Sequence, residues 1–239
     1  VENEPNWETE ELEGFEDVLV LYEREWVTTK IYTRGVTKEQ AEQKRRLLQR
    51  CYDLLSYLRM RVRVISDEMT DDQLDRCVQV FTRANLPNYV PNPVVTHLRS
   101  SDHAERVGFV RNGLRLFLRT RHTIQELNPG ERYFRAVNKP HAAIGADGRV
   151  PPGPSVDESE PFMGNDERLR AFDRHIVINL SGTENMTMCL LIHELAHTPP
   201  NHVCFRHDDH NDDFLFFQWL FLNMAQRAEA NFVTKRIYV

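Results

Sequence analysis

Pro199 and Pro200 set the sharpest limit on how this chain can fold. Proline lacks a backbone N–H and its ring clashes with the preceding turn, so no helix runs through the pair. The two stand just past an apolar run, Met186 to His197, that contains Leu191-Ile192-His193-Glu194-Leu195-Ala196-His197. The run is expected to be a helix that stops at the prolines. In a helix, His193 and His197 are four positions apart and share one face. That spacing, within the pattern H-E-x-x-H, lets two imidazoles hold one Zn²⁺. Glu194 then sits one step round the helix, near the ion but not on it. A carboxylate there can take a proton from an attacking water.

The pattern is short, and a helix with two incidental histidines and a surface glutamate satisfies it equally. The residues that follow weigh toward a metal. Past the prolines come three more histidines, His202, His207 and His210, and then a second apolar run, Phe214 to Ala225. A helix, an abrupt exit, a histidine-bearing loop and a second helix together supply a third ligand and a wall behind the ion. His202 lies so close to the prolines that the chain must double back at once. His207 precedes Asp208-Asp209, which offer acceptors for imidazole N–H groups. His210 stands just before the second helix, where Asn211 or Asp212 is expected to cap it. Phe214 and Phe217 are expected to pack beneath the first helix. A ligand carried on a rigid element is held best, so His210 is the leading third ligand and His207 and His202 are the alternatives.

With 239 residues, 41% of them hydrophobic, the chain can bury the core of one large domain. The longest uncharged apolar stretch near its end, Phe214 to Gln226, is too short to span a bilayer. No amino-terminal signal sequence is visible, but a chain that starts at Val1 says little about compartment. Cys51, Cys77, Cys189 and Cys204 are scattered and read as reduced thiols, with Cys204 a minor zinc-ligand candidate in the histidine loop. Two sequons, Asn179-Leu180-Ser181 and Asn185-Met186-Thr187, flank the motif helix, where a glycan would obstruct it. An intracellular life is therefore favoured over secretion. The net charge is −6, yet Glu2 to Asp17 holds eight acidic residues and no basic one. The remainder is slightly positive and rich in arginine, so a nucleic-acid partner is permitted without being required.

Along the chain, residues 1–16 are expected to be an acidic flexible tail and 17–239 a single domain. Its helical part is expected over about 37–84 and its sheet and zinc-site part over about 105–239. Val18 to Tyr32 suits helix or strand. Thr37-x-x-Gln40 is a capping-box signature opening a long helix to about Arg61, with Ala41, Leu47, Leu48, Cys51, Leu54, Leu55 and Leu58 near one face. Thr70-x-x-Gln73 opens a second helix to about Ala84, ended by three prolines between Asn85 and Pro93. Val107 to Arg121 reads as a hairpin, with Asn112-Gly113 as its two-residue turn and Leu114, Leu116 and Leu118 alternating with Arg115, Phe117 and Arg119. Arg115, Arg119 and Arg121 then line a solvated strand face, in preference to a phosphate-binding strip. Arg132 to Val137 is a candidate third strand, and Pro140 to Phe162 a long loop. His175 to Leu180 reads as a strand whose free edge could receive an extended peptide. The expected fold is α+β: helices first, a small mostly antiparallel sheet, then the motif helix and a buried C-terminal helix.

H-E-L-A-H, a loop, H-N-D-D-F and an aromatic-rich apolar helix together resemble the WLM and SprT-like zinc metallopeptidases. The likeness is closest to WLM-like proteins encoded by large DNA viruses, in which a segment resembling Gln125-Glu126 through Asn138-Lys139 precedes the strand and the motif helix. It is specific over about Ile176 to Phe221, loose upstream to about Thr37, and absent from the acidic tail. The chain departs from the pattern in Pro199-Pro200 and in a longer loop to His210. The resemblance implies a zincin-like fold, with a small antiparallel sheet packed on the motif helix. It also implies His193, His197 and His210 as metal ligands and Glu194 as general base. Cellular members of these families cut proteins crosslinked to DNA. The expectation is a zinc metalloendopeptidase acting on a protein or peptide substrate. The alternative from another class is a non-catalytic structural or interaction protein, such as a virion component docked to neighbouring subunits, that keeps the zincin fold. A third option is zinc chemistry on a non-peptide amide.

Overall fold

Among the described residues, strands come first, not helices. The computed structural model describes residues 13–85, 98, 102–129, 135–140, 172–198 and 212–237. Strands β1 (Phe15–Tyr22) and β2 (Glu25–Tyr32) form an antiparallel hairpin in which Tyr22 pairs with Glu25. Its loop is Glu23-Arg24, and both residues have positive φ, 47° and 74°, as a type I′ turn requires. Val18, Val20, Tyr22, Thr29 and Ile31 turn inward. The stretch that suited helix or strand is thus strand, and β1 starts within the expected tail.

Helix α1 (Lys38–Glu68) starts at the expected capping box: the Thr37 hydroxyl accepts from the Gln40 N–H, and the Gln40 side chain accepts from the Thr37 N–H. It runs past Arg61 to Glu68, and buries Leu47, Leu48, Cys51, Tyr52, Leu55 and Leu58. Helix α2 (Asp71–Asn85) starts with the same reciprocal pair, Thr70 and Gln73.

The expected hairpin at 107–121 is instead helix α3 (His103–Arg119), capped by the Asp102 carboxylate on the Glu105 N–H. Its buried residues Val107, Val110, Leu114 and Phe117 recur at helical spacing. That stripe outweighs the short alternation of leucines. The three arginines therefore share no strand face: Arg115 and Arg119 are on α3 and Arg121 opens β3.

Strands β3 (Arg121–Glu126), β4 (Arg135–Pro140) and β5 (Phe172–Ile178) form one mixed sheet in the order β3-β5-β4. β5 runs parallel to β3 and antiparallel to β4. The strand expected near His175 is thus the central one. Both its edges are paired, so it cannot receive a peptide. The third strand expected over Arg132 to Val137 is β4, with Arg132 itself outside the described residues, and β4 is an outer strand among those described.

Side chains cover the other outer edge of the sheet. At Ile124 in β3, the Tyr52 hydroxyl accepts from the backbone N–H at 2.8 Å, and both Thr29 and Tyr52 bond the carbonyl. One strand-end away, the Glu126 carboxylate accepts from the Tyr32 N–H at 2.6 Å and pairs with Lys44 at 2.7 Å. These groups tie the hairpin to the sheet without a backbone ladder. Two more helices follow among the described residues, α4 (Glu184–Ala196) and α5 (Asp212–Ile237). α4 packs on α5 and on β5, and α1 touches the hairpin, β3, α4 and α5. The architecture is α+β. Among the described residues no helix is long and apolar enough to cross a membrane. Most of the expected loop from Pro140 to Phe162 lies outside the described residues.

Candidate metal centre

The motif run folds as expected. The Thr183 hydroxyl caps α4 by accepting from the Met186 N–H. The helix ends at Ala196, with His197 as its cap, the His197 N–H bonded to Glu194 O and the Thr198 N–H to Leu195 O. The chain thus leaves the helix where the coming prolines demand. His193 and His197 share one face, with their Nε2 atoms 3.4 Å apart. Two ligand nitrogens on a tetrahedral Zn²⁺, each about 2.05 Å from the ion, lie about 3.3 Å apart. The spacing of this pair therefore fits two corners of a zinc site.

A third corner is not seen: among the described residues no set of three His, Cys, Asp or Glu comes together. His202, His207 and His210 lie outside the described residues, as do Cys204 and Asn211.

Helix α5 presses on the histidine pair from behind. Phe214, 1% exposed, lies 4.5 Å from the His197 ring at a 33° tilt and meets the His193 ring edge-on at 5.0 Å. One turn on, the Gln218 amide nitrogen lies 3.3 Å from His193 Nδ1. The two imidazoles are thus wedged between their own helix and α5, as expected for Phe214. Phe217 is buried as well.

Glu194 is not a surface glutamate. It is 6% exposed and faces the interior. Burial pushes its carboxyl above the ordinary value, and the nearby Arg174 guanidinium opposes that push. Arg174, on β5, is buried and donates to the Thr198 hydroxyl at 3.2 Å. His122 Nε2 lies 3.2 Å from the same oxygen, and its ring packs on Phe117. Arg174 and His122 face each other across the β3–β5 pairing. The parallel register of these strands thus delivers a cation and an imidazole to the end of the motif helix. At the start of α5, Asp212 and Asp213 are also buried. Burial, joined by the neighbouring Asp212, pushes the Asp213 carboxyl up to about 7.

No family model, curated protein or solved structure matches this chain. The likeness described above rests on the motif residues alone.

Four polar residues of this site had no role in the sequence reading: Gln218, Arg174, His122 and Thr198. Gln218 was open to notice, since it follows Phe214 by four and so shares its helix face. The other three converge only through the β3–β5 register, which no local pattern encodes.

Proposed function

We propose that the protein is a zinc-dependent metallopeptidase with a zincin-like fold. The observation that carries this reading is the 3.4 Å separation of the His193 and His197 Nε2 atoms beside the buried Glu194. His193 and His197 are two ligands. The third comes from the loop after Pro200, and His210 is favoured over His207 and His202.

Zinc, when bound, supplies a Lewis acid that activates water and offsets negative charge on the scissile carbonyl oxygen. Glu194 is the general base. Its carboxylate takes a proton from the water as the oxygen attacks the carbonyl carbon, then passes a proton to the departing amine nitrogen. Burial raises the proton affinity of Glu194, which suits a base that must also act as an acid, and Arg174 opposes that rise.

Glu194→Gln tests the role of the base directly. The variant should bind zinc like the parent and lose proteolysis by at least a hundredfold, within the range assigned to general-base catalysis, about 10²–10⁴. Loss of zinc together with activity would contradict the assignment.

A second reading is favoured by one surface. Leu19, Leu21 and Trp26 are exposed on the hairpin, and Leu21 pairs with Trp26 across the strands. Such a patch suits a structural subunit docked to a neighbour. Digestion of casein by the purified protein, with and without a chelator, separates the readings: chelator-sensitive cleavage supports the peptidase, and no cleavage by the zinc-loaded protein favours the structural role.

A further inference from the structure

Helix α5 buries one face against the motif helix. On that face Phe214, Phe217 and Phe221 are 1% exposed or less. Gln218 stands among them and is half-buried. An amide placed in an apolar row is costly unless it is hydrogen-bonded. Its nitrogen, Nε2, lies 3.3 Å from His193 Nδ1. The other nitrogen of that ring, Nε2, is the one turned toward His197. The ring is therefore addressed from two sides, by α5 at Nδ1 and by its own helix neighbour at Nε2.

We propose that Gln218 is a positioning residue that holds His193 as the Nδ1–H tautomer, the form whose Nε2 lone pair can bind metal. This rests on the zinc reading above and adds a residue on α5 that the H-E-x-x-H pattern does not contain. A neutral imidazole offers one nitrogen as donor and one as acceptor. A ligand through Nε2 must carry its proton on Nδ1, and that N–H needs an acceptor. The amide has one, Oε1, and a half-turn about the last side-chain bond brings it to the place where the nitrogen now faces Nδ1. Accepting from Nδ1–H makes the ring a better ligand and fixes its plane. Phe214, one turn earlier on α5, limits the remaining freedom of both rings through its contacts at 4.5 and 5.0 Å.

Three full-length variants test this by zinc affinity, read in competition with a fluorescent chelator. Gln218→Met keeps the length of the side chain and removes the acceptor. It should bind zinc 10- to 100-fold more weakly, the usual cost of removing such a partner. Gln218→Glu keeps an acceptor and should bind at least as tightly as the parent. His193→Ala should lose zinc outright. Parental affinity in Gln218→Met overturns the proposal and leaves the zinc reading standing. So does a Gln218→Glu variant as weak as Gln218→Met, because volume would then explain both. A folded parent that binds no zinc overturns both this proposal and the zinc reading. Should Gln218→Met fail to fold, the parent itself decides. In the zinc-loaded protein, long-range proton–nitrogen correlation spectra must show His193 protonated at Nδ1, and protonation at Nε2 overturns the proposal.

Discussion

Arg24 holds φ at 74° in the hairpin loop, where a side chain is strained by about 1 kcal/mol or more. Glycine adopts this conformation at no steric cost. Arg24→Gly should therefore stabilise the protein by about 1 kcal/mol, less what glycine adds to the freedom of the unfolded chain; urea unfolding checks this. An unchanged or lower midpoint would mean that the arginine makes contacts worth more than the strain. The same position explains a misreading. Asn112-Gly113, the pair that best suits a type I′ turn, lies inside α3, and the turn itself is built from Glu23 and Arg24. Turn chemistry is a preference of about the same size as one buried side chain, so a helix that buries Val107, Val110, Leu114 and Phe117 overrides it. A second residue-scale effect belongs to Arg174. Its charge opposes the upward push of burial on Glu194. Arg174→Met should raise the Glu194 pKa further, because the ionised form loses its cation. The acid limb of the proteolysis profile should then move to higher pH. A limb that stays in place would remove Arg174 from the chemistry.

At the scale of elements, the best-read parts were those whose signals are local. Thr37–Gln40 and Thr70–Gln73 mark helix starts because each box satisfies two orphan N–H groups within four residues. The motif helix was equally legible, since the apolar run and the double proline fix both its identity and its end. The sheet was not. β5 lies between β3 and β4, and its parallel partner β3 is some fifty residues earlier, as in the His122–Arg174 pairing. Nothing in either strand names the other. The fastening of the hairpin is also non-local, and it rests on charge. Lys44 and Glu126 are nearly buried and 2.7 Å apart. Lys44 also donates to Tyr32 O, and Glu126 accepts from Tyr32 N–H. Glu126→Ala would leave a buried ammonium without its counter-charge, at a cost of about 3–5 kcal/mol. Thr37→Ala, which removes only a cap, should cost about 1 kcal/mol. Equal losses in the two variants, measured by denaturant unfolding, would show that the ion pair does not anchor the hairpin.

For the whole molecule, two buried carboxylates pull stability in opposite directions with pH. At Asp75, desolvation pushes the carboxyl up, but the His103 hydrogen bond, the Arg106 charge and the Gln79 amide outweigh it, and the net shift is down. A carboxyl lowered on folding stabilises the fold above the ordinary carboxylate range, and that contribution is lost as pH falls through its folded value. Asp213 is the reverse case. Burial first, then the Asp212 charge, raises it from 3.8 to about 7. Its Oδ1 has no hydrogen-bond partner among the described residues. The unfolded chain releases this proton near pH 4 and the folded one holds it to about 7, so stability falls as pH rises across that interval and stays reduced above it. Asp213→Asn removes the cost of ionising a buried group. It should change stability little near pH 4 and raise it at pH 8 by on the order of 2–4 kcal/mol. Unfolding by urea at both values, in chelator so that zinc does not add its own binding free energy, reads the difference. Asp75→Asn should do the opposite, losing stability at pH 8 and progressively less as pH falls below the ordinary carboxylate range. If Asp213→Asn gains equally at both pH values, the aspartate costs the fold through shape or packing, and its proton is not the cause.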